Sequence, residues 1–310
     1  MTKRSYIIII ALLVALDTAT GFWYMANHLN SDGKSDIFDS RSGTVAAADT
    51  IADANVPDKF AVTTDHAYFV SKAPAVDGDA QTYYASIKRI KCKLPSEVNG
   101  SANTEALLAA IAEKAFSKRG ASMAEGKSAW LKTPAFNASD VDFKAISSEP
   151  TITSNYGNVQ GIKVYPVFSS RSYLVMAINL TSYDGHKKSE RMHYVSYDRR
   201  SQSVLTKAEI FEPNSSDAVL ALLNKKIASL ADDEDLPLSK ASRLPSDLYA
   251  RKNGVFFVYQ PGEIADESEG VIELFLPFST LKAHFTASFK TLVAENGGYT
   301  NFKPIAFKQG

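Results

Sequence analysis

Cysteine is almost absent: Cys92 is the single thiol among 310 residues. One cysteine forms no internal disulfide, and metal sites built from cysteine pairs are excluded. Its neighbours Ile90 and Leu94 place it on a strand face, as a small buried apolar side chain. Histidine is scarce too, at His28, His66, His186, His193 and His284. No two of them lie one helical turn apart with a glutamate beside them, so the zinc-hydrolase spacing is missing. His186 and His193 fall on one predicted strand, an odd number of residues apart, which puts them on opposite faces. They are read as surface histidines. No serine sits in a Gly-x-Ser-x-Gly frame, which removes the nucleophile elbow. The 16 glycines are scattered as turn residues, with no phosphate-cradling loop. Net charge is zero, from 34 basic and 34 acidic residues, and no basic stripe carries interleaved aromatics. Nucleic acid is therefore not an expected partner. No catalytic constellation, metal or cofactor is expected, and the chain is read as a non-enzyme.

The sequence does contain one strongly apolar segment. Lys3 and Arg4 precede the run from Tyr6 to Leu16, and apolar character resumes after Asp17 through Trp23, Tyr24 and Met25. A short positive region followed by such a run is the outline of an export signal. A helix from Ser5 to Ala26 would cross a hydrocarbon core about 30 Å thick. Asp17 would cost roughly 3 kcal/mol at the centre of such a span, which four isoleucines and three leucines offset. Ala19 and Gly21 form only a fair cleavage pair. The expectation is an uncleaved anchor in the cytoplasmic membrane with everything after it outside, the alternative being a cleaved signal and a secreted periplasmic product. The membrane is then a partner through this helix.

Composition sets apart a linker at 27–60, rich in Asp, Ser, Ala and Gly, and the chain ends in a ragged tail at 297–310. Alternation from Tyr83 predicts a strand that stops at Pro95. Thr104 is placed to cap a helix with Leu107, Leu108, Ile111 and Ala115 on one face and Gly120 as its stop. Period two from Thr151 to Tyr197, broken by Asp184-Gly185, predicts a meander around a tight hairpin. Ile162, Val164, Pro166 and Phe168 should share one face. Ser215 or Ser216 begins a helix with Leu220, Leu223, Ile227 and Leu230 buried, and Asp232–Asp235 is read as a solvated break. A strand at Val255–Tyr259, a loop to Gly270, a strand at Val271–Leu276 and a short helix after Pro277 complete the pattern. The fold class is α+β: antiparallel β-meander sheets packed with a few helices, preceded by an N-terminal transmembrane or signal helix.

The loop from Tyr259 to Gly270 is the candidate binding surface, because its composition is not what a core requires. Its candidate residues are Tyr259, Pro261, Glu263, Ile264, Asp266, Glu269 and Gly270. The acids lack the alternating spacing of a calcium loop. Paired carboxylates here would be the only route to a hydrolase.

Asn253–Ala265, with Val255-Phe256-Phe257 before Tyr259 and Glu263-Ile264-Ala265 at its end, resembles a segment of the RsiV-like domain-of-unknown-function family. Gly270 followed by Val271–Leu276 and Pro277–Lys282 continues the likeness, as do Val195–Asp198 and Leu205–Phe211 upstream. The specific part covers 190–285, and the resemblance implies an N-terminal module at 61–185 followed by a C-terminal domain at 186–296. That family is shared with anti-sigma factor RsiV and the deacetylase PdaC and occurs in exported Bacteroidetes proteins. Gly262 departs from its usual aromatic, and Glu190–His193 replaces a glycine-rich stretch. The resemblance implies an extracytoplasmic module whose partner is an envelope protein or peptidoglycan, or a structural subunit of an envelope complex. Its domain neighbours imply a cell-wall hydrolase or deacetylase-associated protein as the alternative.

Overall fold

The structure, a computed structural model, describes residues 58–75, 82–98, 101–135, 141–150, 157–170, 172–234 and 237–296. The expected anchor at 1–26, the linker to residue 57 and the tail at 297–310 lie outside the described residues. Among the described residues no helix is long and apolar enough to cross a membrane.

The chain is a mixed α+β fold. Seven strands form one large sheet: β1 (Lys59–Ala75), β2 (Thr82–Glu97), β3 (Phe143–Ile146), β4 (Gly157–Ser169), β5 (Tyr173–Tyr183), β6 (Lys188–Asp198) and β7 (Ser203–Leu205), in the order β3-β1-β2-β4-β5-β6-β7. Helices α1 (Glu105–Phe116) and α2 (Met123–Lys132) lie between β2 and β3 in the chain. After β7 come α3 (Lys207–Ile210) and the long α4 (Ser216–Glu234). Strands β8 (Asp247–Ala250), β9 (Gly254–Tyr259) and β10 (Ile272–Pro277) form a second sheet, followed by α5 (Phe278–Leu281) and α6 (Ala287–Glu295).

The period-two segment forms as expected, with β4, β5 and β6 antiparallel around a turn in which Gly185 has φ +96°. β2 and β4 instead run parallel, which alternation alone does not reveal. β5 is the centre of the molecule. Leu174, Met176 and Ile178 face α1, packing with Ile90, Cys92, Leu107, Ile111, Val195 and Tyr197. Tyr173, Val175 and Ala177 point the other way, into a second core with Leu223 and Ile227 of α4, the β8–β10 sheet and α6. The large sheet is thus a middle layer with an apolar core on each face.

Several local expectations are corrected. The register shifts between Pro166 and Phe168, so Phe168 joins the α4-side core while Ile162 and Val164 stay on the α1 side. One extra residue in a strand reverses every later side chain. β2 continues through Pro95, because β4 pairs no further than Cys92 and a proline is tolerated on a strand with one neighbour. Thr104 occupies the cap position of α1 without a side-chain cap bond, and the left-handed residue that ends α1 is Ser117, not Gly120. The acidic run does not break α4, which continues to Glu234. α2, β8 and α6 add to the elements expected from the sequence. The sheet runs on through the 185/186 division, which falls within the β5–β6 turn.

Candidate functional site

β7 pairs with β6 only from Ser196 onward. Beyond that point two side chains stand where a further strand would be. Asp247 Oδ1 accepts from the Tyr194 backbone N–H at 3.3 Å. The Gln260 amide accepts from Met192 N at 3.2 Å and donates to Met192 O at 2.6 Å. These are the contacts of an antiparallel ladder, supplied by side chains.

Asp247 is fully buried at the start of β8. Besides Tyr194 N it accepts from Lys114 Nζ at 2.6 Å and Ser246 Oγ at 3.0 Å, and it bonds His193 Nδ1 at 2.9 Å. Burial pushes this carboxyl up, but the His193 bond and the Lys114 charge outweigh that and hold it at about 2. Four donors match the roughly four lone-pair sites of a carboxylate, so Asp247 orients its partners rather than acting as a base. It ties α1, β6 and β8 at one point. His193, expected at the surface, has its ring fixed by this bond, and its side chain is 21% exposed. Nothing in the sequence joins His193 to Asp247, 54 residues later.

A second buried carboxylate lies nearby. Glu273 on β10 accepts from Tyr194 Oη at 2.5 Å and Tyr249 Oη at 2.9 Å, between rings stacked at 4.1 Å. Burial raises the Glu273 carboxyl despite those two hydrogen bonds. Burial first, and then the Glu273 charge, raise both phenols.

Two clefts open beside this junction and meet at Ser117. One, of about 330 Å³, is walled by Glu113, Lys114 and Arg119 of the α1 end and by His193, Ser246 and Asp247. The other, of about 230 Å³, lies between Phe116 and Trp130 and the strand surface bearing Gln160, Ser182, Ser189 and Arg191. Among the described residues no three His, Cys, Asp or Glu side chains come together to hold a metal ion.

The loop residues named from sequence divide into two groups. Tyr259 and Ile264 are buried in the α4-side core, and the Tyr259 hydroxyl donates to Arg243 O at 3.3 Å. Burial and then the Glu263 charge push that hydroxyl up to about 12. Asp266 and Glu269 are exposed, and Pro261 and Gly270 are half-buried. Glu263 reaches back to Gln260 N at 2.7 Å and faces Arg243 at 3.6 Å. Glu267 pairs with Lys187, which lowers its carboxyl. With Gln260 on Met192 and Glu267 on Lys187, the loop lies along the β6 edge.

These features define the class: a two-sheet α+β protein with a buried polar junction and an open trough at one helix end. Residues 208–279, from α3 into α5, match the family model described as "Protein of unknown function (DUF3298)". Asp247, Gln260 and Glu273 fall inside the matched segment, and Lys114 and His193 outside it. The fold is similar to the crystal structure of a DUF3298 family member from Bacteroides fragilis, 17% identical with a TM-score of 0.53, over 77% of this chain and 99% of that one. It is also similar to a DUF3298 family protein from Pseudomonas aeruginosa, 16% identical with a TM-score of 0.50, over 76% and 96%. No curated protein matches the chain.

Proposed function

We propose that this chain is a non-enzymatic binding module of the bacterial cell envelope. It is held on the outer face of the cytoplasmic membrane by the apolar segment at residues 5–26 and engages an envelope protein or peptidoglycan. The RsiV-like affinity of the C-terminal domain is part of this proposal. The observation that carries it is the state of the buried carboxylates. Asp247 takes part in four hydrogen bonds and Glu273 accepts two, and these bonds join the layers together. Such groups build a fixed surface. The clefts and the 260–270 loop, side by side at the β6 edge, are the surface such a module would present.

Two experiments test this. Alkaline phosphatase fused after residue 60 is active only when exported, and an expressed but inactive fusion overturns the export reading. The full chain should be retained on insoluble cell-wall polymer or on an envelope-protein fraction without releasing fragments. One observation favours a hydrolase as second reading: His193, oriented by Asp247, lines an open cleft. Fragment release that disappears in His193→Gln would replace the binding reading with that one.

A further inference from the structure

We propose that the trough formed by the two clefts is a saccharide site and that its occupant is a sugar bearing a carboxylate. This rests on the binding reading above and names the ligand class.

The floor is set by strand register. Gln160 lies opposite Ser182, and Ser182 opposite Ser189, so one row of amide and hydroxyl groups crosses β4, β5 and β6. The next row is Ile162, Leu180 and Arg191, and the next is Val164, Ile178 and His193. Neighbouring strands stand about 4.8 Å apart, so the polar row presents hydrogen-bonding groups at regular steps along a flat surface. Phe116 and Trp130 stand over this floor from the helices. Gly126 brings α2 close, since a Cβ there would stand 2.3 Å from the Phe116 ring. A sugar ring has an apolar C–H face and a rim of hydroxyls. An aromatic wall above a polar row matches both at once.

Charge selects an acidic sugar. Lys114 and His193 are engaged by Asp247. The guanidinium groups of Arg119 and Arg191 make no hydrogen bond or ion pair to any described residue, and the Arg191 charge helps to lower the Glu267 carboxyl. Glu113 is the opposing charge in the wall. Lys88 Nζ adds positive charge 4.4 Å from the centre of the Trp130 ring. A free guanidinium binds a carboxylate through two parallel hydrogen bonds. The trough lies at the carbonyl end of α1, whose dipole weakens the hold on any anion, so the two guanidinium groups carry the selection for negative charge. Ser117, at φ +52°, ends that helix sharply where the clefts meet.

The chain has two tryptophans, Trp23 and Trp130. In full-length Trp23→Phe protein, fluorescence therefore reports the trough alone. Trigalacturonate should change it saturably, at least about tenfold more tightly than the neutral tri-N-acetylglucosamine. Arg191→Gln, at an exposed position, should weaken trigalacturonate by about tenfold or more with an unchanged circular dichroism spectrum. No saturable change, equal affinity for the two sugars, or full-strength binding by Arg191→Gln would each overturn the proposal. If the chain is retained on envelope material but trigalacturonate leaves Trp130 unmoved, the trough inference fails and the binding reading stands. Binding followed by cleavage of the trisaccharide has the opposite meaning: the site stands and the non-enzymatic reading falls.

Discussion

With its carboxyl at about 2 against an ordinary 3.8, Asp247 stabilises the fold fully above about pH 4, and that contribution is lost as pH falls toward 2. The difference is worth about 2 kcal/mol. Glu273 has the opposite sign. Its carboxyl is raised from an ordinary 4.5 by burial, so its contribution is complete below that value and declines as pH rises through the folded value. Urea denaturation from pH 2 to 8 should show both slopes. Asp247→Asn should remove the acid limb, and at pH 7 it should cost about 1–3 kcal/mol by giving the Lys114, Ser246 and Tyr194 donors a weaker acceptor. Glu273→Gln should flatten the decline at higher pH. An acid limb that survives in Asp247→Asn would assign it to other carboxylates. At this scale the sequence is informative where local pattern decides. Cys92 reads as a buried filler; it is 1% exposed, and burial pushes its thiol up to about 11. Nothing local hints that His193, Lys114 and Asp247 meet, because three separate elements bring them together.

α4 is legible because its apolar positions recur at helical spacing. Leu223 and Ile227 are buried, while Leu220 and Leu230 are half-buried. Leu223→Ala should therefore cost about 2–5 kcal/mol and Lys225→Ala, on the exposed side, less than about 0.5, as read by thermal or urea unfolding. Equal effects would mean that the helix is turned differently. β4 to β6 are legible for the same kind of reason, up to the irregularity after Pro166, which alternation cannot show. β8 is hidden because all four of its residues, Asp247 to Ala250, are buried, so no alternation exists to find. α2 does carry a local signal: Ser122 and Glu125 form a complete capping box, the Ser-x-x-Glu spacing that opens many helices. The acidic run after Ala231 suggests a break, yet α4 continues to Glu234, because a stripe anchored in the core outweighs local charge repulsion.

The division that the resemblance implies after residue 185 falls in the β5–β6 turn, and β5 and β6 pair along their whole length on either side of it, from Tyr173 with Asp198 to Tyr183 with Lys188. The bidentate pair of Arg199 with Asp58 fastens the start of β1 to the far end of β6. Fragments 58–185 and 186–296 expressed separately should therefore lack native circular dichroism, since each exposes one side of the central sheet. A cooperatively folded 58–185 fragment would restore the division. The trough is invisible to sequence for a related reason: Gln160, Ser182 and Ser189 become neighbours only once three strands are in register. The way the β6 edge is finished has a last consequence. An incomplete sheet margin is a growth point onto which another copy of the chain can crystallise strand by strand. Here Gln260 and Asp247 act as chain terminators for that polymerisation, two side chains standing where a strand would otherwise be recruited. Gln260→Ala should reopen the Met192 position while leaving the core intact, and light scattering should then show self-association that rises with protein concentration. A variant that stays monodisperse would mean that the margin is sealed by something other than these two residues.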